Sequence, residues 1–250
     1  MPRGVNTQDE GRIQGRNVVN ANSSNIVAPG VVTDGLVLHL DAGNYNSYPI
    51  AGTTWYDLSG YRNNGTLVAG AVYSRDGGGS IVFDGTSDAV TSVTTIPPAG
   101  NVSVFCWVYA TTLNPEWNII VTKWFDPDGF DFHFALKSAA GNGTNIKQNL
   151  YTTSNFDIYG TTTFSANTWY YVGFTLVNGG TLTFYKNAVE DGTSSPVSRT
   201  AQNSTLIIND NRPQGLGFVG RIPQVSIYNR VLTPSEVAQN FNALRARFNI

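Results

Sequence analysis

The stretch WYYVGFTLVNGGTLTFYKNAV (Trp169–Val189) decides the fold class. Two runs rich in β-branched and aromatic residues, Tyr170–Val177 and Thr181–Lys186, flank the punctuation Asn178-Gly179-Gly180 and read as two short strands. The first run is apolar at consecutive positions, as is VSVFCWVY (Val102–Tyr109). Continuous apolar strands suit the inner positions of a sandwich whose outer face is also partly covered. Outward from this stretch, strands are expected near Leu36–Asp41, Ser80–Phe83, Ala89–Val93, Val102–Ala110, Ile119–Trp124, Phe132–Lys137, Lys147–Tyr151, Thr205–Ile208 and Gln224–Tyr228. So many short strands imply a sandwich or barrel.

Composition agrees. Of 250 residues only 13% are charged and 12% are aromatic, which excludes disorder for most of the chain. Asn, Gly and Thr each occur 26 times and Glu and Lys four times each, so helix formers are scarce. A net charge of −2 gives no electrostatic reason to bind nucleic acid or an anionic membrane. The single Cys106 rules out an internal disulfide or a thiolate cluster, and within an apolar run it reads as a small buried hydrophobe. MPRGVNTQDEGRIQGR at the start contains no apolar stretch of signal-peptide length, so cytoplasmic synthesis without a membrane span is expected.

Residues 1–33 contain no aromatic and carry aliphatics only in ones and twos, Ile13, Val18-Val19 and Ile26-Val27, together with Arg3 and other polar residues. Such a segment buries too little to offset its ordering entropy by itself. It reads either as a floppy tail or as an extended assembly arm that docks into a neighbour, preceding a domain at 34–250. At the other end, Thr233-Pro234-Ser235-Glu236 forms an N-cap, N1 proline and capping-box series, and Val237, Phe241 and Leu244 form one stripe. A short helix over about 234–248 is therefore expected to pack on the sandwich, with Arg245 and Arg247 facing its dipole.

The ordered series WYDLSGYRNNGTL (Trp55–Leu67), SIVFDGTSDAV (Ser80–Val90), VSVFCWVY, the Trp169–Val189 stretch and VGRIPQVSIYNRVLTPSEV (Val219–Val237) resembles the laminin-G-like branch of the concanavalin A-like lectin/glucanase superfamily. That resemblance implies an all-β jelly-roll sandwich of two antiparallel sheets. The family usually has Asn-Gly where this chain has Asn187-Ala188, which leaves the turn type there open. GLVLHLDAGNYNSYP (Gly35–Pro49) and NFNALRARF (Asn240–Phe248) look like laminin-G-like proteins of tailed phages, notably those of marine cyanobacteria.

Chemistry-bearing residues are few. The glucanase branch needs paired carboxylates, yet Glu10, Glu116, Glu190 and Glu236 are scattered, so hydrolysis stays open only through distant Asp residues. Asp84 and Asp88 around Gly85 read as hairpin turn chemistry, with a calcium site as the alternative. His39 and His133 read as strand histidines without companions in sequence, and Gly77-Gly78-Gly79 as a flexible surface turn. Trp117, Asn118, Asp126, Asp128 and Asp131 combine aromatic rings with acceptors, the composition of a carbohydrate site, and read alternatively as a solvated turn with a core Trp. The expectation is a non-enzymatic virion protein without a cofactor, present in many copies or as a homo-oligomer. It would sit on the virion surface, attached through its arm to other virion proteins. A glycan-binding lectin or adhesin that contacts cell-surface glycans is the alternative.

Overall fold

A computed structural model describes residues 30–92, 96–114, 116–125, 129–152, 156–200, 204–209 and 216–250. The arm residues Arg3, Ile13, Val18, Val19, Ile26 and Val27, and the site residues Asp126 and Asp128, lie outside them.

Two eight-stranded antiparallel sheets face each other. The first contains β1 (Leu36–Asp41), β4 (Val72–Ser74), β5 (Ser80–Asp84), β7 (Val102–Thr112), β12 (Trp169–Leu176), β13 (Gly180–Lys186), β14 (Val189–Val197) and β16 (Val219–Tyr228), in the order β14-β13-β12-β7-β16-β5-β4 with β1 also on β16. The second runs β11 (Ile158–Tyr159), β10 (Ile146–Thr152), β9 (Gly129–Ser138), β8 (Trp117–Phe125), β15 (Leu206–Ile208), β6 (Ala89–Thr91), β3 (Gly65–Val68), β2 (Thr54–Trp55). Inward residues alternate along each strand, as the pleat requires. Val104, Cys106 and Val108 of β7 and Phe174 of β12 meet Phe132, Phe134 and Leu136 of β9 across the core, with Phe174 edge-on to Phe134 at 5.3 Å. Burial pushes the Cys106 thiol pKa up, so it stays an inert apolar group.

The outward residues of β7 explain its unbroken apolar run. Phe105 and Trp107 form a second cluster with Tyr171, Tyr185 and Tyr228, covered by helix α1 (Pro234–Leu244) and the 3-10 turn Arg245–Phe248. Phe248 stacks on Trp107 with ring centroids 4.0 Å apart, and Phe241 lies at 5.5 Å from the same ring. The capping box at Thr233 and Glu236 is formed, and Arg230 adds two bonds to the Glu236 carboxylate at 2.7 and 2.9 Å.

Four sequence expectations change. The α-helix ends at Leu244, and Arg247 does not serve its dipole but reaches Asp41 at 2.7 Å and the carbonyls of Gly77 and Gly79, tying the C-terminus to β1. Gly77 and Gly78 lie in a 3-10 turn (Asp76–Gly78) at the surface, but the Gly79 that caps it is packed rather than flexible: a Cβ there would lie 2.5 Å from the Ala42 carbonyl. β14 is a nine-residue edge strand joined to β13 through Asn187 and Ala188, both at positive φ (50° and 65°), so the two-residue primed turn forms despite the alanine. Residues 30–33 pack with the domain rather than the arm: Val31 and Val32 are buried, Asn240 Oδ1 accepts from Val32 N at 2.8 Å, and the Tyr228 hydroxyl donates to Val32 O.

Candidate functional site

The β8–β9 pairing separates the residues that sequence reading grouped. Trp117 pairs with Lys137 and Lys123 with Phe132, so Asp131 lies six residues along β9 from the level of Trp117, about 20 Å at the rise of a strand. Asp131 is not an exposed turn carboxylate. Its side chain is fully buried and paired with Arg199, which also donates to the carbonyls of Pro98 and Gly100. Lys123, buried beside this pair, donates to Pro97 O, and burial lowers its pKa. These charges fasten one end of the sandwich. Asn118 is likewise buried: its amide accepts from Asn114 N and donates to the carbonyls of Asn114 and Leu136, closing the turn before β8. Of the predicted carbohydrate residues whose positions are described, Trp117 alone faces outward where a ligand can reach it.

Alternation on β8, β9 and β10 gives Trp117 other companions on the outer face of the second sheet. His133 is cross-strand to both Thr122 and Tyr151, and Trp117 is cross-strand to Lys137. The Trp117 ring lies edge-on to His133 at 6.2 Å and to Tyr151 at 6.1 Å, and Tyr151 contacts Phe156 at 5.0 Å, itself 65% exposed. The Thr122 hydroxyl is 2.6 Å from His133 Nδ1, so this histidine has companions in the fold that it lacks in sequence. Lys137 Nζ sits 3.8 Å over the Trp117 ring and 2.5 Å from Asp157 Oδ1, which also accepts from Asn149 Nδ2. Asn149 Oδ1 is buried without a hydrogen-bond partner among the described residues. Burial, reinforced by the Asp157 charge, raises the pKa values of Tyr151 and Tyr159, so both phenols stay neutral donors. Aromatic rings beside an ammonium and a carboxylate can stack on a sugar ring and exchange hydrogen bonds with its hydroxyls, while the buried Asn149 amide holds Asp157 from beneath. The signal for this set is in FDFHFALK (Phe130–Lys137), where period-two reading puts His133, Ala135 and Lys137 on one face. The set comes together only when strand order is known.

Asp84 and Asp88 bind backbone. Asp84 Oδ1 accepts from Thr86 N and Oγ1, which lowers its pKa, while Asp88 accepts from Gly70 N and Asp84 N. Among the described residues no three His, Cys, Asp or Glu side chains gather as a metal site. His39 is buried with Nδ1 2.8 Å from Ser226 Oγ, and burial lowers its pKa. The described Glu residues are dispersed: Glu116 in the turn before β8, Glu190 on β14, and Glu236 spent on the α1 cap. Among the described residues no helix is long and apolar enough to cross a membrane.

Two facing antiparallel sheets with a covered outer face and a polar, aromatic opposite face define a lectin-like sandwich. The chain belongs to the concanavalin A-like lectin/glucanases superfamily, whose laminin G model matches residues 83–238. Solved structures agree with the fold. The binding domain of Paraclostridial Mosquitocidal Protein 1 superposes with a TM-score of 0.64 at 19% identity, covering 84% of this chain and 52% of that one. Domain 4 of AbnA, a GH43 extracellular arabinanase from Geobacillus stearothermophilus, in complex with arabinotriose, gives 0.64 at 20% identity over 84% of this chain and 98% of that one. A Trypanosoma rangeli sialidase gives 0.63 at 18% identity over 86% of this chain and 34% of that one. The chain thus spans about half of the mosquitocidal domain and a third of the sialidase, and these likenesses establish the fold alone. No curated protein sequence matches it.

Proposed function

We propose that this chain is a non-enzymatic glycan-binding module that uses the outer face of the β8–β10 sheet, tethered to a larger assembly through residues 1–29. The observation that carries the reading is the cluster of Trp117, Tyr151 and Phe156 beside Lys137 and Asp157 on the outer sheet face, with His133 and Asn149 buried beneath it. An arabinanase domain of the same fold in complex with arabinotriose, and a toxin binding domain, support it as likenesses of architecture. The reading needs no cofactor, in keeping with the backbone bonds that occupy Asp84 and Asp88.

The tether reading rests on where the chain enters. Gly30 O accepts from Gln239 Nε2 and Val32 is held by Asn240, so the described domain begins beside α1, on the sheet opposite the aromatic cluster. Binding face and attachment point on opposite sides suit a displayed module. The carrier we propose, from the motif resemblance, is a tailed-phage virion. The chain would be made in the host cytoplasm and carried at the particle surface in multiple copies, as a capsid decoration or as a tail or fibre protein.

A glycan array on the full chain, with Trp117→Ala and Phe156→Ala beside it, tests the binding. Both variants should lose the glycans that the native chain retains. Retention by both, or no retained glycan, overturns the binding reading. Co-sedimentation with particles of full-length but not of 30–250 protein tests the tether separately.

A further inference from the structure

The opposite sheet carries a cleft that the reading above does not use. Trp169, Tyr109 and Arg221 stand in one row across β12, β7 and β16, because Trp169 and Arg221 are both cross-strand partners of Tyr109. The turn Asp76-Gly77 closes the row from the side, leaving a cleft of about 270 Å³. We propose that this cleft is a second sugar site, one that holds a single neutral monosaccharide ring through a pair of vicinal hydroxyls.

The cleft is built rather than incidental. Trp169 tilts at 51° to Tyr109 with centroids 5.0 Å apart and is backed by Phe248 at 4.8 Å, so its indole is held in place. A Cβ on Gly77, at φ +63°, would come within 2.7 Å of Trp169 Cζ2, so only glycine lets the turn approach the indole this closely. Arg221 lies with Cζ 5.1 Å over the Tyr109 ring, and its Nε forms an ion pair with Asp76 Oδ2 at 2.9 Å. That pair is not an aligned hydrogen bond, because Nε has no such partner. Contact through Nε leaves the terminal nitrogens of the fork to donate outward. On Asp76, Oδ2 also accepts from Ser74 Oγ, and the side chain is 59% exposed.

Charge and size select the ligand. The Asp76 carboxylate already neutralises Arg221, so the cleft gives little net attraction to an anion. A guanidinium donor next to a carboxylate acceptor matches two adjacent hydroxyls, one accepting and one donating, while the indole takes the C–H face of the ring. The volume falls just below the roughly 300 to 1,000 Å³ of sites for drug-sized ligands, which suits one sugar ring rather than an oligosaccharide or a nucleotide. The Trp117 face lies on the other sheet, so the two sites would take separate sugars and occupancy of one would leave the other open.

The test follows the indole N–H signals of the full chain by NMR during titration with methyl glycosides of neutral hexoses, with arabinose and with glucuronate. Trp169→Phe assigns the signal. A neutral glycoside should shift the Trp169 signal, Asp76→Asn should weaken that binding about tenfold or more, and Trp117→Ala should leave it unchanged. The proposal is overturned if the neutral sugars leave Trp169 unmoved, if only glucuronate moves it, or if Trp117→Ala removes the shift. Failure at Trp117 with a persistent Trp169 shift would sink the reading of the other face and spare this one, and the converse separates them equally.

Discussion

Arg199 and Asp131 meet as a two-point ion pair, with Nε donating to Oδ1 at 2.7 Å and both side chains sealed from water (1% and 0% exposed). The guanidinium also holds the carbonyls of Pro98 and Gly100, so one buried charge pair fastens β9 to two separate segments. Removing one member of such a pair leaves the other charged, buried and uncompensated. Asp131→Ala should therefore destabilise the domain by about 3 to 5 kcal/mol in denaturant unfolding. A loss under about 0.5 kcal/mol, as for an exposed turn carboxylate, would contradict the buried pair.

His39 supplies a pH dependence. Burial holds its folded-state pKa below the ordinary value near 6.5, so the unfolded chain binds the proton more readily. Its contribution is fully present above about pH 6.5 and is lost as pH falls through that value toward the folded pKa, by at most about 1.4 kcal/mol per pH unit. Unfolding midpoints measured between pH 7.5 and 5.5 should fall for the native chain and fall less for His39→Asn. Parallel profiles would assign the proton elsewhere.

Glu236 acts at lower pH. Its bonds to Arg230 hold its pKa down to about 2 from 4.5. A depressed acid stabilises the fold above its unfolded pKa, and this stability is lost as pH falls from 4.5 toward 2. Glu236→Gln should flatten that acid limb, and Thr233→Ala should cost about 1 kcal/mol through the lost cap. A Glu236→Gln profile that matches the native one in this range would show that the Arg230 pair does not persist in solution.

Ala188 sits at φ 65° in a two-residue turn that favours glycine. Relief of the left-handed strain exceeds the added chain entropy of glycine, so Ala188→Gly should stabilise by roughly 0.5 to 1 kcal/mol. Thermal unfolding would read this as a rise of a few degrees, and a fall would mean that the methyl group's packing against the α1 side outweighs the strain.

The arm can be trimmed only to a point. Deleting residues 1–29 should leave the melting temperature unchanged. Deleting 1–33 removes buried Val31 and Val32 with the bonds to Asn240 and Tyr228 and should cost at least about 2 kcal/mol, or about 4 to 8 °C. Equal melting of the two truncations would return residues 30–33 to the arm.

Local chemistry is legible in sequence because it acts over a few residues. The apolar runs of β7 and β12, the Thr233–Glu236 cap, the Val237/Phe241/Leu244 stripe and the Asp84–Asp88 turn are all found as read. Short or polar edge strands such as β4 and β14 escaped, since their pairing rests on backbone bonds to neighbours rather than on a pattern of their own. Tertiary structure alone decided which side chains gather on the outer faces. Trp117 and Asp131 are fourteen residues apart in sequence, but an antiparallel hairpin sends them to opposite ends, whereas Trp117, Tyr151 and Asp157 meet because β8, β9 and β10 lie side by side. The same holds for the row Trp169, Tyr109 and Arg221, drawn from three strands up to 112 residues apart. Sequence carries each strand's two faces, while strand order and register, set by which sheets bury the most apolar surface together, determine which side chains from different strands meet.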